Sequence, residues 1–176
     1  LIAKCLESNP LAQKCYDPDG AYPEGYGYWE YGTTFQVMLV AALQSALGTD
    51  AGIKSQKSFM HTADFMTYMV APSNLAYNYF DSGSGCYPLP AKYWFARENG
   101  DASIVAIDER LLAAGRIHAD RLLPLQILFG SGVDMSEAKL PSKNSWSAQG
   151  EVPLYIYRSG WNSADDTYFA IKGGKA

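Results

Sequence analysis

Apolar residues recur at helical spacing through most of the first 130 residues. Within residues 54–70, four apolar side chains follow one another at intervals of three or four and so share one face of a predicted helix. They are Phe59, Ala63, Met66 and Val70. Residues 35–47 carry no charge and are apolar on nearly every side. This second pattern predicts a helix that is surrounded by other parts of the protein.

Glycine, proline and threonine set the expected bounds of these helices. We predict that the apolar helix begins at residues 32–34 with a threonine as its N-cap, and that it ends at Gly48. Four further helices are predicted, at residues 1–9, 91–99, 102–114 and 122–129. Helices of similar length joined by short loops are typical of antiparallel hairpins arranged around a common centre. The predicted fold is therefore mainly α.

The pattern changes after residue 130. Residues 131–150 are rich in Ser, Gly, Lys, Asn and Pro, with Trp146 as the one large apolar anchor, and this composition predicts a linker. Beyond it the period becomes two, with strand-like runs at residues 154–158 and 167–172. Two strands cannot bury a core of their own. We therefore expect a helical part at 1–130, a linker at 131–150 and the opening strands of an incomplete β-domain at 151–176.

Residues 19–32 form the most unusual stretch, because four tyrosines, a tryptophan, four glycines and a proline lie together there. Glycine and proline predict a sharply turning loop, yet a loop rarely exposes so many aromatic side chains to solvent. One interpretation is an aromatic-walled turn that binds a ring-shaped ligand. The other is that the tyrosines only pack against the start of the following helix.

Composition excludes several partners. The net charge of -4 and the pI of about 5.1, with lysines scattered along the chain, argue against a nucleic-acid backbone as partner. The longest apolar run, residues 37–43, is far too short to span a membrane. The three cysteines have no metal-binding spacing. The sequence starts without methionine, in what reads as the middle of a helix, so we expect a piece of a longer protein.

Two motifs resemble the heparinase II/III-like polysaccharide lyases. The first is Asp-Gly-x-Tyr-x-Glu-Gly-x-x-Tyr-x-x-Tyr-Gly at residues 19–32, and the second combines Arg-Ser-Gly-Trp at 158–161 with Tyr-x-x-x-Lys-Gly-Gly at 168–174. This resemblance implies part of an (α/α) toroid of helical hairpins, followed by the first strands of an antiparallel β-domain. It also implies β-elimination at a uronic-acid residue of an acidic polysaccharide.

The resemblance assigns roles to individual residues of the first motif. A tyrosine hydroxyl can protonate the departing oxygen, and it can also act as base where neighbours lower its pKa. That tyrosine corresponds best to Tyr28, with Tyr31 as the fallback, and Glu24 resembles a supporting hydrogen-bond acceptor. Tyr26 and Trp29 are candidate sugar-stacking walls, or packing beneath the loop.

Other candidates lie further along the chain. Asn78 and Asp81 follow the helix predicted at residues 54–70 and are expected to face the cleft, and His61 is a candidate on that helix. The family's carboxylate-neutralising residue and its catalytic histidine would fall before Leu1 and after Gly174. We therefore expect this chain alone to be inactive and to hold no cofactor, and a metal in a following β-domain stays open.

Two other functions remain open at this point. A glycoside hydrolase on the same architecture would need two carboxylates across the cleft, with Glu24 or Glu30 facing Asp81 or Asp64. A non-catalytic glycan-binding protein would need only the aromatic residues. Enzymes of the resembled family act outside the cytoplasm, which implies a periplasmic or secreted location. Neither the polysaccharide, nor endo or exo cleavage, nor the oligomeric state follows from the sequence.

Overall fold

A computed structural model of the chain describes residues 1–174. About half of the chain is helical, and a small antiparallel sheet follows the helices. The α-helices within the described residues are α1 (Ile2–Gln13), α2 (Tyr26–Leu47), α3 (Lys57–Met69), α4 (Pro90–Asn99), α5 (Ala106–Ala113) and α6 (Leu123–Gly130). The strands are β1 (Ser145–Ala148), β2 (Leu154–Arg158) and β3 (Tyr168–Lys172). The mainly helical class with a small antiparallel sheet is confirmed.

Helix α2 begins six residues before the predicted start. Its N-cap is Gly25, whose φ of 84° suits a residue without a Cβ, and Thr33 and Thr34 are buried inside the helix rather than capping it. The segment predicted as an aromatic loop therefore supplies the first two turns of α2. Gly32 lies within the helix. A Cβ at this position would stand only 2.8 Å from the Tyr22 hydroxyl, which explains why a glycine occupies it.

Helix α1 runs past the proline where we predicted its end. Pro10 lies inside the helix. Immediately before it, Asn9 pairs with Gln36 of α2, as each side-chain amide donates to the other's oxygen at 2.8 and 3.1 Å. This reciprocal pair holds the second half of α1 against α2.

None of the helices within residues 1–174 is long and apolar enough to cross a membrane.

Helix α4 is the centre of the helical part and contacts α2, α3 and α6. Its Trp94 and Phe95 are fully buried, and both rings pack against Phe59 of α3, at centroid distances of 6.1 and 5.2 Å. Trp29 of α2 joins the same cluster, 6.3 Å from Phe95. The core therefore lies where α2, α3 and α4 meet.

A buried ion pair connects α4 to α5. Lys92 donates to Asp108 Oδ2, while Oδ1 accepts the Leu89 N–H at 3.1 Å, just before α4 begins. Both side chains are almost completely enclosed. Burial raises the pKa of the Asp108 carboxyl, although the Lys92 ammonium pulls it in the opposite direction.

The sheet has three strands in the order β1-β2-β3, one more than predicted. Ser145 pairs with Tyr157 across β1 and β2, so β1 lies within the segment that we predicted to be a linker. The correction has a physical cause, because Trp146 packs against Phe65 and Tyr68 of α3 at 5.7 and 6.3 Å. That contact fixes the backbone beside β2.

The sheet is attached to the C-terminal end of α3. The Tyr68 hydroxyl donates to the Lys143 carbonyl and the Tyr168 hydroxyl to the Tyr68 carbonyl, both at 3.0 Å. The Arg158 guanidinium is buried, lies 3.6 Å over the Trp161 ring, and donates to the Val70 carbonyl. Burial lowers the pKa of Arg158 to about 10. The helices and the sheet therefore share one packed boundary.

Candidate functional site

A cleft of about 800 Å³ lies where the start of α2, the turn after α3 and the sheet segment meet. Acidic and aromatic side chains both line it. The residues that line it are Pro23, Glu24, Tyr28, Phe80, Asp81, Glu151, Val152 and Gly174. The cleft therefore brings together three of the predicted site residues, Glu24, Tyr28 and Asp81, from segments more than fifty residues apart in sequence.

Tyr28 is placed in this cleft by the first turn of α2. Its side chain is 41% exposed, and within residues 1–174 its hydroxyl makes no hydrogen bond, so the group is available to a ligand. Tyr31, the fallback, lies one turn further along α2 and is not among the residues that line the cleft. It is 60% exposed and packs edge-on against Phe35 at 5.0 Å.

Two hydrogen bonds hold the rims of the cleft together. The Tyr79 hydroxyl donates to the Tyr22 carbonyl at 2.8 Å, and the Gly27 N–H donates to Ser82 Oγ at 2.9 Å. The second bond satisfies an amide at the start of α2 that has no partner within the helix. A Cβ on Gly25 would stand 3.3 Å from Tyr79, so a glycine lets the two segments approach closely.

Burial keeps the supporting tyrosines protonated. It raises the pKa of Tyr22 to about 12, with smaller contributions from Cys15 and Glu24, and it raises the pKa of Tyr79 as well. Hydroxyl groups of this kind remain hydrogen-bond donors through the physiological pH range. The Tyr79 hydroxyl therefore acts as a fixed structural donor to the Tyr22 carbonyl.

The Asp-Gly pair that opens the first motif has a structural role. Asp19 accepts the Gln149 N–H at 2.7 Å, which ties the motif to the segment after β1. The Gly20 carbonyl accepts the Thr62 hydroxyl, and Thr62 Oγ1 in turn accepts the Trp29 indole N–H at 2.7 Å. A Cβ on Gly20 would lie 2.9 Å from the Thr62 Cα, so this position requires glycine.

Thr62→Val tests this buried chain of hydrogen bonds. The change preserves shape but leaves the Trp29 N–H and the Gly20 carbonyl without their partner. We expect it to lower the free energy of unfolding by about 2 kcal/mol, since unpaired buried polar groups are costly. Thr67→Val is the matched control on the same helix, because the buried Thr67 hydroxyl donates only to carbonyls. Equal losses in urea-unfolding measurements of the two variants would contradict this role for Thr62.

The predicted stacking roles of Tyr26 and Trp29 are corrected by the structure. Trp29 has no exposed surface and Tyr26 is almost fully buried, with its hydroxyl donating to the Tyr87 carbonyl. Burial also raises the pKa of Tyr26 well above the ordinary value. Both side chains belong to the core beneath the cleft because a helix that starts at Tyr26 turns residues 26 and 29 inward together.

Two further predicted residues are exposed but lie outside the cleft lining. Asn78 is in the turn before Phe80, and His61 is on the outer side of α3. Of the predicted pair Asn78 and Asp81, the structure places only Asp81 in the cleft lining. Phe80 and Glu151 are cleft residues that the sequence analysis missed. The run of aromatic residues at 77–80 was the only available signal for Phe80.

Glu30 belongs to a different cluster. Its two carboxylate oxygens accept the Tyr87 hydroxyl at 3.1 and 2.9 Å, and the Tyr87 ring lies edge-on to His118 at 4.4 Å. Burial raises the pKa of Glu30, although the Tyr87 hydrogen bond acts in the opposite direction. Asp64 lines another depression, beside Trp146. Of the carboxylate pairs considered for a hydrolase, only Glu24 with Asp81 shares the main cleft.

Within residues 1–174, no group of three or more His, Cys, Asp and Glu side chains is placed to hold a metal ion. Comparison with protein-family models finds no match to this sequence. A search of curated proteins finds none either.

Proposed function

We propose that this chain forms part of a polysaccharide lyase that cleaves uronic-acid-containing glycans by β-elimination, with Tyr28 as the acid. The observation that carries the proposal is the exposed Tyr28 hydroxyl, presented by the first turn of α2 to a cleft of about 800 Å³. A cleft of this size accommodates a few sugar rings. The resemblance of residues 19–32 and 158–174 to the heparinase II/III-like lyases supports the same reaction and the toroid arrangement of the helices.

The reaction needs three actions at one sugar. A base removes the C5 proton, the electron pair forms a C4–C5 double bond, and the C4–O4 bond breaks while O4 receives a proton. A phenol hydroxyl is a stronger acid than a sugar hydroxyl, so Tyr28 is suited to deliver that last proton. In this proposal, the groups that neutralise the C5 carboxylate of the sugar being cleaved and remove its C5 proton are supplied by parts of the protein outside these residues.

The carboxylates of the cleft have a supporting role in this proposal. Glu24 and Asp81 lie on the two segments that border Tyr28, and both are exposed. Carboxylate oxygens accept hydrogen bonds from sugar hydroxyls and so fix the orientation of a bound glycan. A glycoside hydrolase is the second candidate function, because this same pair could supply the acid and the base or nucleophile of hydrolysis.

Product analysis on the full-length protein separates the two candidates. We expect digestion of alginate, hyaluronate or heparan sulfate to generate near-ultraviolet absorbance from the unsaturated uronate, in step with new reducing ends. Reducing ends without absorbance would contradict the lyase and favour the hydrolase. Asp81→Asn is then informative, because it removes an essential carboxylate of a hydrolase but only one orienting contact of a lyase.

A further inference from the structure

Phe80 has an unusual combination of exposure and backbone conformation. Its φ of 52° lies in the left-handed region, which a bulky residue rarely adopts. Its ring is 46% exposed and lines the cleft with Tyr28 and Asp81. A strained, exposed aromatic residue gains nothing from core burial, and strain of this kind concentrates at binding sites.

The surrounding structure holds the Phe80 ring in place. Tyr79 packs edge-on against it at a centroid distance of 5.6 Å, and the Tyr79 hydroxyl is fixed to the Tyr22 carbonyl. The Ser82 N–H donates to the Tyr79 carbonyl at 3.3 Å and closes the turn that carries Phe80. The ring is therefore a preorganised wall of the cleft.

Lys172 of β3 brings a positive charge next to the Phe80 ring, although its side chain is not itself among those that line the cleft. Its Nζ lies 4.6 Å from the centroid of the Phe80 ring, within the range of a cation–π contact. Within residues 1–174, Lys172 forms no ion pair. Its ammonium is therefore able to pair with an incoming anion beside an aromatic surface.

The remaining charge in the cleft is negative. Glu24, Asp81 and Glu151 all line it, and among the lining residues in the described part of the chain there is no lysine or arginine. A ligand with one carboxylate beside Lys172 is accommodated, whereas additional sulfates would face these three side chains. Like charges brought together in a partly enclosed cleft oppose binding.

We propose that Phe80 and Lys172 form a subsite for a single uronate residue, and that the surrounding carboxylates restrict the cleft to unsulfated glycans in which neutral sugars separate the uronates. The sugar ring packs on Phe80, its carboxylate pairs with Lys172, and neighbouring neutral sugars donate hydroxyls to the carboxylates. This inference rests on the proposed function, since it assumes that the cleft binds a uronate.

Calorimetric binding measurements on the full-length protein test the subsite. The Tyr28→Phe background is used to slow cleavage during the measurement. The ligands are hexasaccharides of unsulfated chondroitin, of 4-sulfated chondroitin, of alginate and of neutral chitin. We expect unsulfated chondroitin to bind at least about tenfold more tightly than the other three. Phe80→Asn is expected to weaken its binding by about tenfold, and Lys172→Gln by several-fold with a reduced dependence on salt.

The choice of Phe80→Asn separates binding from folding. Asparagine tolerates a positive φ better than phenylalanine, so we expect the melting temperature to be unchanged or raised while glycan binding is weakened. A residue with only a structural role would lose stability and leave affinity intact. Phe169→Thr and Lys4→Gln are matched controls, because both wild-type side chains are exposed and neither lines the cleft.

The outcomes distinguish this inference from the proposed function. If unsulfated chondroitin binds but the Phe80 and Lys172 variants retain its full affinity, the subsite is wrong while the lyase proposal stands. If the sulfated hexasaccharide binds as tightly as the unsulfated one, the charge restriction is wrong. If the neutral chitin hexasaccharide binds as well as every uronate ligand, the cleft does not select uronates, and both proposals fail.

Discussion

Replacing Tyr28 by phenylalanine is expected to lower the rate of glycan cleavage by about 10²- to 10⁴-fold, the usual contribution of a general acid. The substitution removes one oxygen from an exposed side chain that makes no hydrogen bond within residues 1–174. Folding and ligand affinity should therefore be nearly unchanged. The measurement is a comparison of kcat and Kd for the full-length protein and its Tyr28→Phe variant.

Tyr31→Phe is the matched control for this prediction. The two tyrosines lie one turn apart on α2, and both are exposed, but Tyr31 packs against Phe35 and is not part of the cleft lining. We expect Tyr31→Phe to retain at least about half of the wild-type rate. A large loss in Tyr31→Phe with little effect in Tyr28→Phe would reverse the assignment. Equal, small effects of both changes would show that neither hydroxyl delivers the proton.

Lys92→Met is expected to lower the free energy of unfolding by about 3–5 kcal/mol, the usual cost of leaving a buried charge without its partner. Asp108 would then keep only the Leu89 N–H and other backbone contacts in an enclosed environment. Lys54→Met is the control, since the Lys54–Glu98 pair is partly exposed. Such pairs contribute about 0–1 kcal/mol. Urea unfolding of both variants gives the comparison.

The loss in Lys92→Met should depend on pH in a defined direction. Burial already raises the pKa of Asp108, and removal of the ammonium raises it further. A carboxyl with a raised pKa in the folded state binds its proton more tightly there than in the unfolded chain, where the pKa is about 3.9. Its contribution therefore favours folding at low pH and is lost as the pH rises through the folded-state value. The stability deficit of Lys92→Met relative to the wild type should therefore grow as the pH rises from about 4 to about 7. A deficit that stays constant over this range would contradict this account.

Periodicity alone predicted the parts of the fold where one face is buried. Phe59, Ala63, Met66 and Val70 are all buried, as the spacing along α3 required. The alternation in residues 154–158 also holds, and it places Arg158 on the buried side of β2. A guanidinium is tolerated there because it lies over the Trp161 ring and donates to the Val70 carbonyl.

The start of α2 could not be predicted from local sequence, because glycine disfavours a helix interior by about 1 kcal/mol relative to alanine. Gly27 and Gly32 are accepted there for tertiary reasons. Gly27 donates to Ser82 from the turn after α3, and Gly32 makes room for Tyr22. Neither contact is visible in the sequence around residues 25–32.

The misplaced start of α2 also explains why Tyr26 and Trp29 were assigned to the candidate site. If residues 19–32 form a loop, all of their aromatic side chains can face a ligand. Once α2 begins at Tyr26, helical geometry divides them, with Tyr26 and Trp29 facing the core and Tyr28 and Tyr31 facing outward. Glu24 and Tyr28 were predicted from the motif, and Asp81 from the turn after the helix at residues 54–70. The contributions of Phe80 and Glu151 depend on long-range packing.

The mass of the oligosaccharide products tests the central claim most directly. β-Elimination rearranges the substrate without adding an atom, so the masses of the two products sum to that of the substrate, and the new non-reducing end carries the unsaturated uronate. Hydrolysis adds one water across the bond. We predict that mass spectrometry of products released by the full-length protein shows conserved total mass. A sum that exceeds the substrate by one water would contradict the assignment of this chain to a lyase.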